Sequence, residues 1–229
     1  MNVLYGVLID VIENQQIKEG ERLEMNCTGQ SNPAISFEDV LWTKKSNSTF
    51  NRKGNQLKIN KLDRIDNGSY VCSINKSLTP SEGQQVSVSN STTTHVVVYY
   101  APSVNIIPDR TNLTVIENST NIVLNCNVTD SYPDATNFTW FKNNMRLFHH
   151  KSIYTISQVK KDDFGMYTCA AKNIAGQSKK SPGVLLTVLY GVRLNISTTQ
   201  IKVNETEQWS VIGKADGNPA PKFDWIYTH

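Results

Sequence analysis

Along most of this chain apolar side chains recur at every second position, the spacing of strands that bury one face and wet the other. Leu23, Met25 and Cys27 share one parity, and so do Ile122, Leu124 and Cys126. Val40 with Trp42, Phe138 with Trp140, Leu57 with Ile59 and Tyr154 with Ile156 carry the alternation onto further strands. Helical spacing does not persist over three turns anywhere. The pattern predicts an all-β chain built from strands with one buried face each.

Two longer repeats are laid over this alternation. Cys27 is followed by Trp42 and then by Asp66-Asn67-Gly68-Ser69-Tyr70-Val71-Cys72. At nearly the same spacing Cys126 is followed by Trp140 and by Asp163-Phe164-Gly165-Met166-Tyr167-Thr168-Cys169. A third copy begins with Trp209, Val211 and Gly213 and reaches Phe223 and Trp225, with Gly213 standing where the other copies have their first cysteine. The second repeat marks the joints. Val3-Leu4-Tyr5-Gly6-Val7 recurs as Val188-Leu189-Tyr190-Gly191-Val192, and Val98-Tyr99-Tyr100-Ala101-Pro102 occupies the equivalent place between them. No Gly/Ser-rich or Pro-rich linker separates the units. The expected organisation is therefore the end of a preceding domain or linker over 1–6, a first domain over 7–100, a second over 101–190, and the N-terminal half of a third over 191–229. The chain reads as an internal piece of a longer array, with its third unit poorly packed on its own.

These residues resemble the immunoglobulin fold, a Greek-key β-sandwich. The resemblance implies that Cys27 joins Cys72 and Cys126 joins Cys169 across facing sheets, with Trp42 and Trp140 packed on the bridges. It also implies that Tyr70 and Tyr167 hydrogen-bond back to the main chain at a corner shaped by Asp66, Gly68, Asp163 and Gly165. The short run from each tryptophan to its aspartate leaves little room for the extra strands of a variable-type domain, so both units resemble the C2 or I set. Cys169-Ala170-Ala171-Lys172-Asn173-Ile174-Ala175-Gly176 is similar to the I-set ending. The first unit is longer between Cys72 and Tyr100, which predicts an extended hairpin or loop near Thr79–Thr94. Each bridge is expected to contribute ~4 kcal/mol by closing its loop, comparable with the whole stability of a marginal domain.

Composition sharpens the compartment. Charged residues make up 19% of the chain and hydrophobic ones 38%, and the formal net charge is +3. There is no run of apolar residues long enough to span a bilayer. An even cysteine count, all of it used by the repeat, favours an oxidising compartment. Asn-x-Ser/Thr occurs at Asn26, Asn47, Asn67, Asn75, Asn90, Asn112, Asn118, Asn127, Asn137, Asn195 and Asn204. The residue frequencies give about four such sites by chance, so the excess predicts an extracellular glycoprotein, at the cell surface or secreted. Lys142, Arg146, Lys160, Lys161, Lys172, Lys179 and Lys180 concentrate positive charge in the second unit, where 140–190 has no sequon. That predicts one bare basic sheet and one sugar-coated sheet bearing Asn112, Asn118, Asn127 and Asn137. A bare basic face suits an acidic protein or a sulfated glycan.

Catalytic chemistry finds no foothold. No nucleophile motif, phosphate-binding glycine loop or zinc spacing is present. His149-His150 is the only histidine pair, and adjacent strand residues point to opposite faces. Asp163 of the Asp162-Asp163 pair is taken by the corner motif. No cofactor, metal or nucleic-acid partner is expected, and any membrane attachment would use segments outside this stretch. Tandem sandwiches with such joints resemble the ectodomains of adhesion and recognition proteins: carcinoembryonic-antigen-related molecules, nectins, sialic-acid-binding lectins and hemicentin-type arrays. The resemblance implies a non-enzymatic module that binds another cell-surface or matrix protein, itself or another, through its sandwich faces. A secreted immune-recognition protein and the ectodomain of a receptor kinase or phosphatase share these features. A reduced intracellular muscle-type array would lack both bridges and sugars. Non-reducing mass spectrometry before and after glycosidase treatment is expected to show two bridges and a glycosidase-sensitive mass, and a reduced, unmodified chain would exclude the extracellular reading.

Overall fold

A computed structural model describes residues 5–80, 83–196 and 213–224. Cα proximity gathers the chain into two units, the first Met1–Ala101 with Ser131–Asp134 and Asn173–Gly176, the second Pro102–Asp130 with Ala135–Lys172 and Gln177–His229.

In the first unit the alternating segments become β1 (Tyr5–Ile9), β2 (Gln15–Lys18), β3 (Leu23–Asn26), β4 (Gly29–Asn32), β5 (Val40–Lys44), β6 (Asn47–Lys53), β7 (Gln56–Ile59), β8 (Gly68–Leu78) and β9 (Val86–Ile107). One layer holds the antiparallel pairs β1–β4 and β3–β7. The other runs β2-β9-β8-β5-β6, with β2 parallel to β9 and every other pair antiparallel. A single strand, β6, lies between the tryptophan strand β5 and β7, the short C2-like arrangement. The extra length of this unit is spent on the β8–β9 hairpin, paired from Gly68 opposite Val96 out to Leu78 opposite Val86. A hairpin wins over a loop here because the backbone groups of both arms find ladder partners.

The second unit repeats the plan with β10 (Asn112–Ile116), β11 (Thr120–Tyr132), β12 (Asn137–Lys142), β13 (Met145–Arg146), β14 (Ile153–Gln158), β15 (Gly165–Asn173), β16 (Gly176–Gln177), β17 (Val184–Ile196) and β18 (Gly213–Asn218). β11 pairs with β14 and with β9, while the facing sheet runs β10-β17-β15-β12-β13, β10 being parallel to β17. The β12–β13 turn places Asn143 at φ 48° and Asn144 at φ 67°. Left-handed φ at both central residues is what a tight two-residue hairpin requires, and asparagine tolerates it. β18 pairs antiparallel with the end of β17, Arg193 opposite Asp216. Trp209, Val211 and Trp225 lie outside the described residues.

Each unit has one core, and its largest members are the repeat residues. Trp42, Tyr70 and Cys72 are fully buried with Leu23, Met25, Val40, Leu57 and Ile74. Trp140, Tyr167 and Cys169 are buried with Leu124, Ile156, Val159, Leu186 and Val188. Disulfides link Cys27 to Cys72 and Cys126 to Cys169. In both units the tryptophan lies directly opposite the second cysteine on the neighbouring strand, Trp42 facing Cys72 and Trp140 facing Cys169.

The two tryptophans differ at the indole nitrogen. Trp140 Nε1 donates to the Lys151 carbonyl at 3.0 Å, whereas buried Trp42 Nε1 has no hydrogen-bond partner among the described residues. Phenylalanine at 140 strands a carbonyl, while phenylalanine at 42 removes an unsatisfied donor. Trp140→Phe is therefore expected to destabilise its unit by ~1 kcal/mol more than Trp42→Phe does, as read by urea unfolding.

Candidate protein-recognition surfaces

Any surface these sandwiches present is held by the turn before β8 and β15. Tyr70 Oη donates to the Asp66 carbonyl at 2.8 Å, and Tyr167 Oη to the Asp163 carbonyl at 2.9 Å. The aspartate side chains close the same turn from the other end. Asp66 Oδ2 accepts from the Asp63 amide and Asp163 Oδ2 from the Lys160 amide, each at 2.8 Å. Gly68 at φ 135° and Gly165 at φ 154° then admit the backbone into the strand, a conformation that L side chains rarely adopt. Burial pushes both corner phenols up, with Asp66 adding for Tyr70, and Tyr154 and Asp163 adding for Tyr167.

A second repeated residue completes the corner, and the sequence reading missed it. Lys44 and Lys142 each stand two positions after a tryptophan. Lys44 Nζ lies 5.2 Å from the centre of the Tyr70 ring and donates to the Ile65 carbonyl. Lys142 Nζ lies 5.9 Å from the Tyr167 ring and donates to the Asp162 carbonyl. Burial lowers the Lys44 amine, opposed by the charge of Asp66. The signal was available as Trp-x-Lys in both copies.

On this scaffold the outward side of the first unit's larger sheet carries few charges, with the exposed sequon residue Asn75 in the same row of β8 as Val71 and Ser73. Leu41, Thr43, Ser69, Val71, Ser73, Ser91, Thr93 and His95 alternate with the buried residues of β5, β8 and β9. Lys53, opposite Leu41 on β6, stands at its margin. At one end of the unit Lys76 pairs with Asp39 at 2.6 Å and donates to the Ala34 carbonyl at 2.7 Å. Burial raises the Asp39 carboxyl, but hydrogen bonds from Lys76 and Ser36 and the Lys76 charge outweigh it and hold the group at about 2.

The basic residues of the second unit do not form one face. Lys142 caps the corner turn. Lys161 pairs with Asp216 and lies 5.4 Å from the Tyr190 ring, with Lys160 beside it in the sequence. Tyr190 Oη also donates to Asp216, at 2.9 Å. Hydrogen bonds from Lys161 and Tyr190 lower the Asp216 carboxyl. Lys180 sits 4.0 Å over the Phe141 ring and reaches Asn144 Oδ1, and Arg146 lies opposite Phe141. Lys172 stands at the far end of β15, opposite Asn137, and Lys179 is exposed ahead of β17. The expected bare sheet is also corrected. Asn137 on β12 and Asn112 on β10 belong to the same sheet as Lys142, Arg146 and Lys172, so sequons and cations share it. Parity along one strand gives inward against outward, but it does not tell which strands share a sheet.

Of the other sequon residues, Asn26, Asn47, Asn67, Asn75, Asn90, Asn118 and Asn195 are exposed, as are Asn112 and Asn137. Asn127 is half-buried, with Nδ2 donating to Asn105 Oδ1 at 3.0 Å, and Asn204 lies outside the described residues. Among the described residues no three His, Cys, Asp or Glu side chains gather as metal ligands. His149 instead stacks edge-on against Tyr154, and its Nε2–H donates to the Ile153 carbonyl at 2.6 Å.

Residues 101–173 match the immunoglobulin domain family. Over that stretch the chain is similar to the immunoglobulin domain, and both units share its fold. A titin homolog of Caenorhabditis elegans is 24% identical over 97% of this chain and 1% of its own length. Neural cell adhesion molecule 1-A of Xenopus laevis is 26% identical over 92% of the chain and 20% of its own length. The chain thus spans a small part of these curated relatives. The crystal structure of DIP-gamma IG1+IG2 superposes with a TM-score of 0.58 at 18% identity, covering 80% of this chain and 98% of that one, a likeness of fold. The paired cysteines of both immunoglobulin units suit an oxidising compartment, and no described helix is long and apolar enough to cross a membrane.

Asp39 stabilises the first unit fully above its ordinary value of 3.8, and that contribution is lost as the pH falls toward about 2. The Asp39→Asn variant is expected to lose about 1.5–3 kcal/mol at neutral pH. Its deficit relative to the wild type should shrink across the pH 4 to 2 window, which acid unfolding followed by circular dichroism checks.

Proposed function

We propose that this stretch is a protein-recognition module of an extracellular adhesion or cell-surface receptor, acting by contact and not by catalysis. The stretch would comprise two complete immunoglobulin domains over 7–100 and 101–190 and the start of a third from 191. The observation that carries the reading is the outward sheet of the first unit. Small neutral side chains on a sheet pinned by a disulfide and a tyrosine corner allow a second protein surface to approach closely with little desolvation of charge. Loss of side-chain freedom on docking is slight for Ser, Thr and Val, so most of the buried area remains as net binding. Similarity to neural cell adhesion molecule 1-A and the excess of exposed sequons support the extracellular setting.

The partner is another cell-surface or matrix protein, either a second copy of this protein or a different one. Display of the chain on otherwise non-adherent cells tests the reading. Aggregation with like cells or with a panel of ectodomain-displaying cells is expected, and a charge set into the sheet by Val71→Arg should reduce it at least about tenfold. Equal adhesion by Val71→Arg and the wild type would remove this face from the mechanism. No adhesion to either class of cell would remove the function.

A further inference from the structure

We propose that the segment between β12 and β14 of the second unit is a separate docking site for a protein whose apolar socket is rimmed by carboxylates. Phe148 is 101% exposed and Met145 70% exposed. Yet the chain around them is held on every side. Leu147, on one flank of Phe148, packs against the core and its amide donates to the Trp140 carbonyl at 2.8 Å. On the other flank His149 is stacked against Tyr154. Two residues further, the Lys151 carbonyl accepts from the Trp140 indole, and the Ser152 carbonyl accepts from the Cys126 amide at 2.8 Å. An aromatic ring held out in water by a backbone that is otherwise tied down loses little freedom on binding. Burying such a ring removes apolar surface from water and favours binding.

Charge says what covers it. Residues 143–153 contain Arg146, Lys151, two histidines and no Asp or Glu. Arg146, His150 and Lys151 are exposed beside Phe148. Aromatic, methionine and arginine side chains together are the composition that protein interfaces favour. A complementary acidic rim would both steer and orient the partner. A polyanion would use the cations and leave Phe148 wet. The negative surface potential that draws basic segments to membranes belongs to the cytoplasmic leaflet, whereas the disulfides place this domain on the oxidising side. A second copy offers its net acidic stretch over 102–139, but sequons Asn112 and Asn118 occupy the strand and turn there. No sequon lies between Asn137 and Asn195 in the sequence.

The site lies in a different unit from the neutral sheet, and its test uses none of the same variants, so the two readings fail separately. A disulfide-cyclised random peptide library displayed on phage is selected against the full chain. The recovered peptides are expected to carry Asp or Glu around a Leu, Phe or Trp. Their binding should fall at least about tenfold for Phe148→Ser and for Arg146→Glu. Phe164→Ser, which removes another exposed ring, should leave binding within about twofold. Phe148 contributes nothing to the core, so an unchanged melting curve is expected for its variant. Peptides indifferent to Phe148→Ser, or no selected peptides at all, would overturn the proposal. Retention on heparin, or on phosphatidylcholine–phosphatidylserine vesicles, that depends on Arg146 while no peptide depends on Phe148 assigns the patch to a polyanion or a membrane and overturns it equally.

Discussion

The structure depends on one buried contact made twice, the disulfide that crosses the sandwich with a tryptophan alongside and a tyrosine corner beneath. Two sheets of short strands bury modest area, and the hydrophobic effect alone sets no register between them. Cys27–Cys72 and Cys126–Cys169 fix the separation of the layers, and Trp42 and Trp140 fill the space beside the bridges. Tyr70 and Tyr167 then tie strand entry to a turn whose carbonyl would otherwise be buried without a donor. Every outward face is carried on this arrangement.

Lysine shows how one residue type takes three different roles on one scaffold. Lys44 and Lys142 lie over the corner tyrosines and donate hydrogen bonds to turn carbonyls, so they serve the fold. Lys76 and Lys161 are tied to carboxylates. Among the described residues Lys151 and Lys172 have no carboxylate partner, and they are exposed at separate places. A count of positive charge along the chain treats these as equivalent, and their surroundings show that they are not. The same distinction separates a structural cation from one available to a partner, and it moves attention from the basic sheet to the segment around Phe148.

The fold was legible because its signals are local and repeated. Period-two burial, the Asp-x-Gly-x-Tyr-x-Cys run and the tryptophan spacing each constrain a few neighbouring residues, and two copies exclude coincidence. The added length before Tyr100 was legible as an insertion, but whether it paired as a hairpin depended on ladder bonds between β8 and β9. The candidate surfaces were less legible. Leu147 and Phe148 drew no reading from the sequence and His149 only a rejected ligand pair, because only the packing of Leu147 and His149 reveals that the ring between them is held outward. Lys44 went unread and Lys142 was read only as part of a basic face, because their effect is exerted across the fold on a turn far along the chain.

By itself, the sequence determined the strand class and the outward parity of most sequons, which follow from side-chain alternation over a few residues. Its resemblance to the immunoglobulin fold implied the pairing of the cysteines and the short C2 or I set. Only the tertiary structure decided which strands share a sheet, and therefore that Asn112 and Asn137 stand among the lysines. It also decided which cations are already engaged, and that Phe148 is presented and not merely exposed. Sheet order and side-chain partnership depend on contacts between residues far apart in the chain, and no local pattern encodes them.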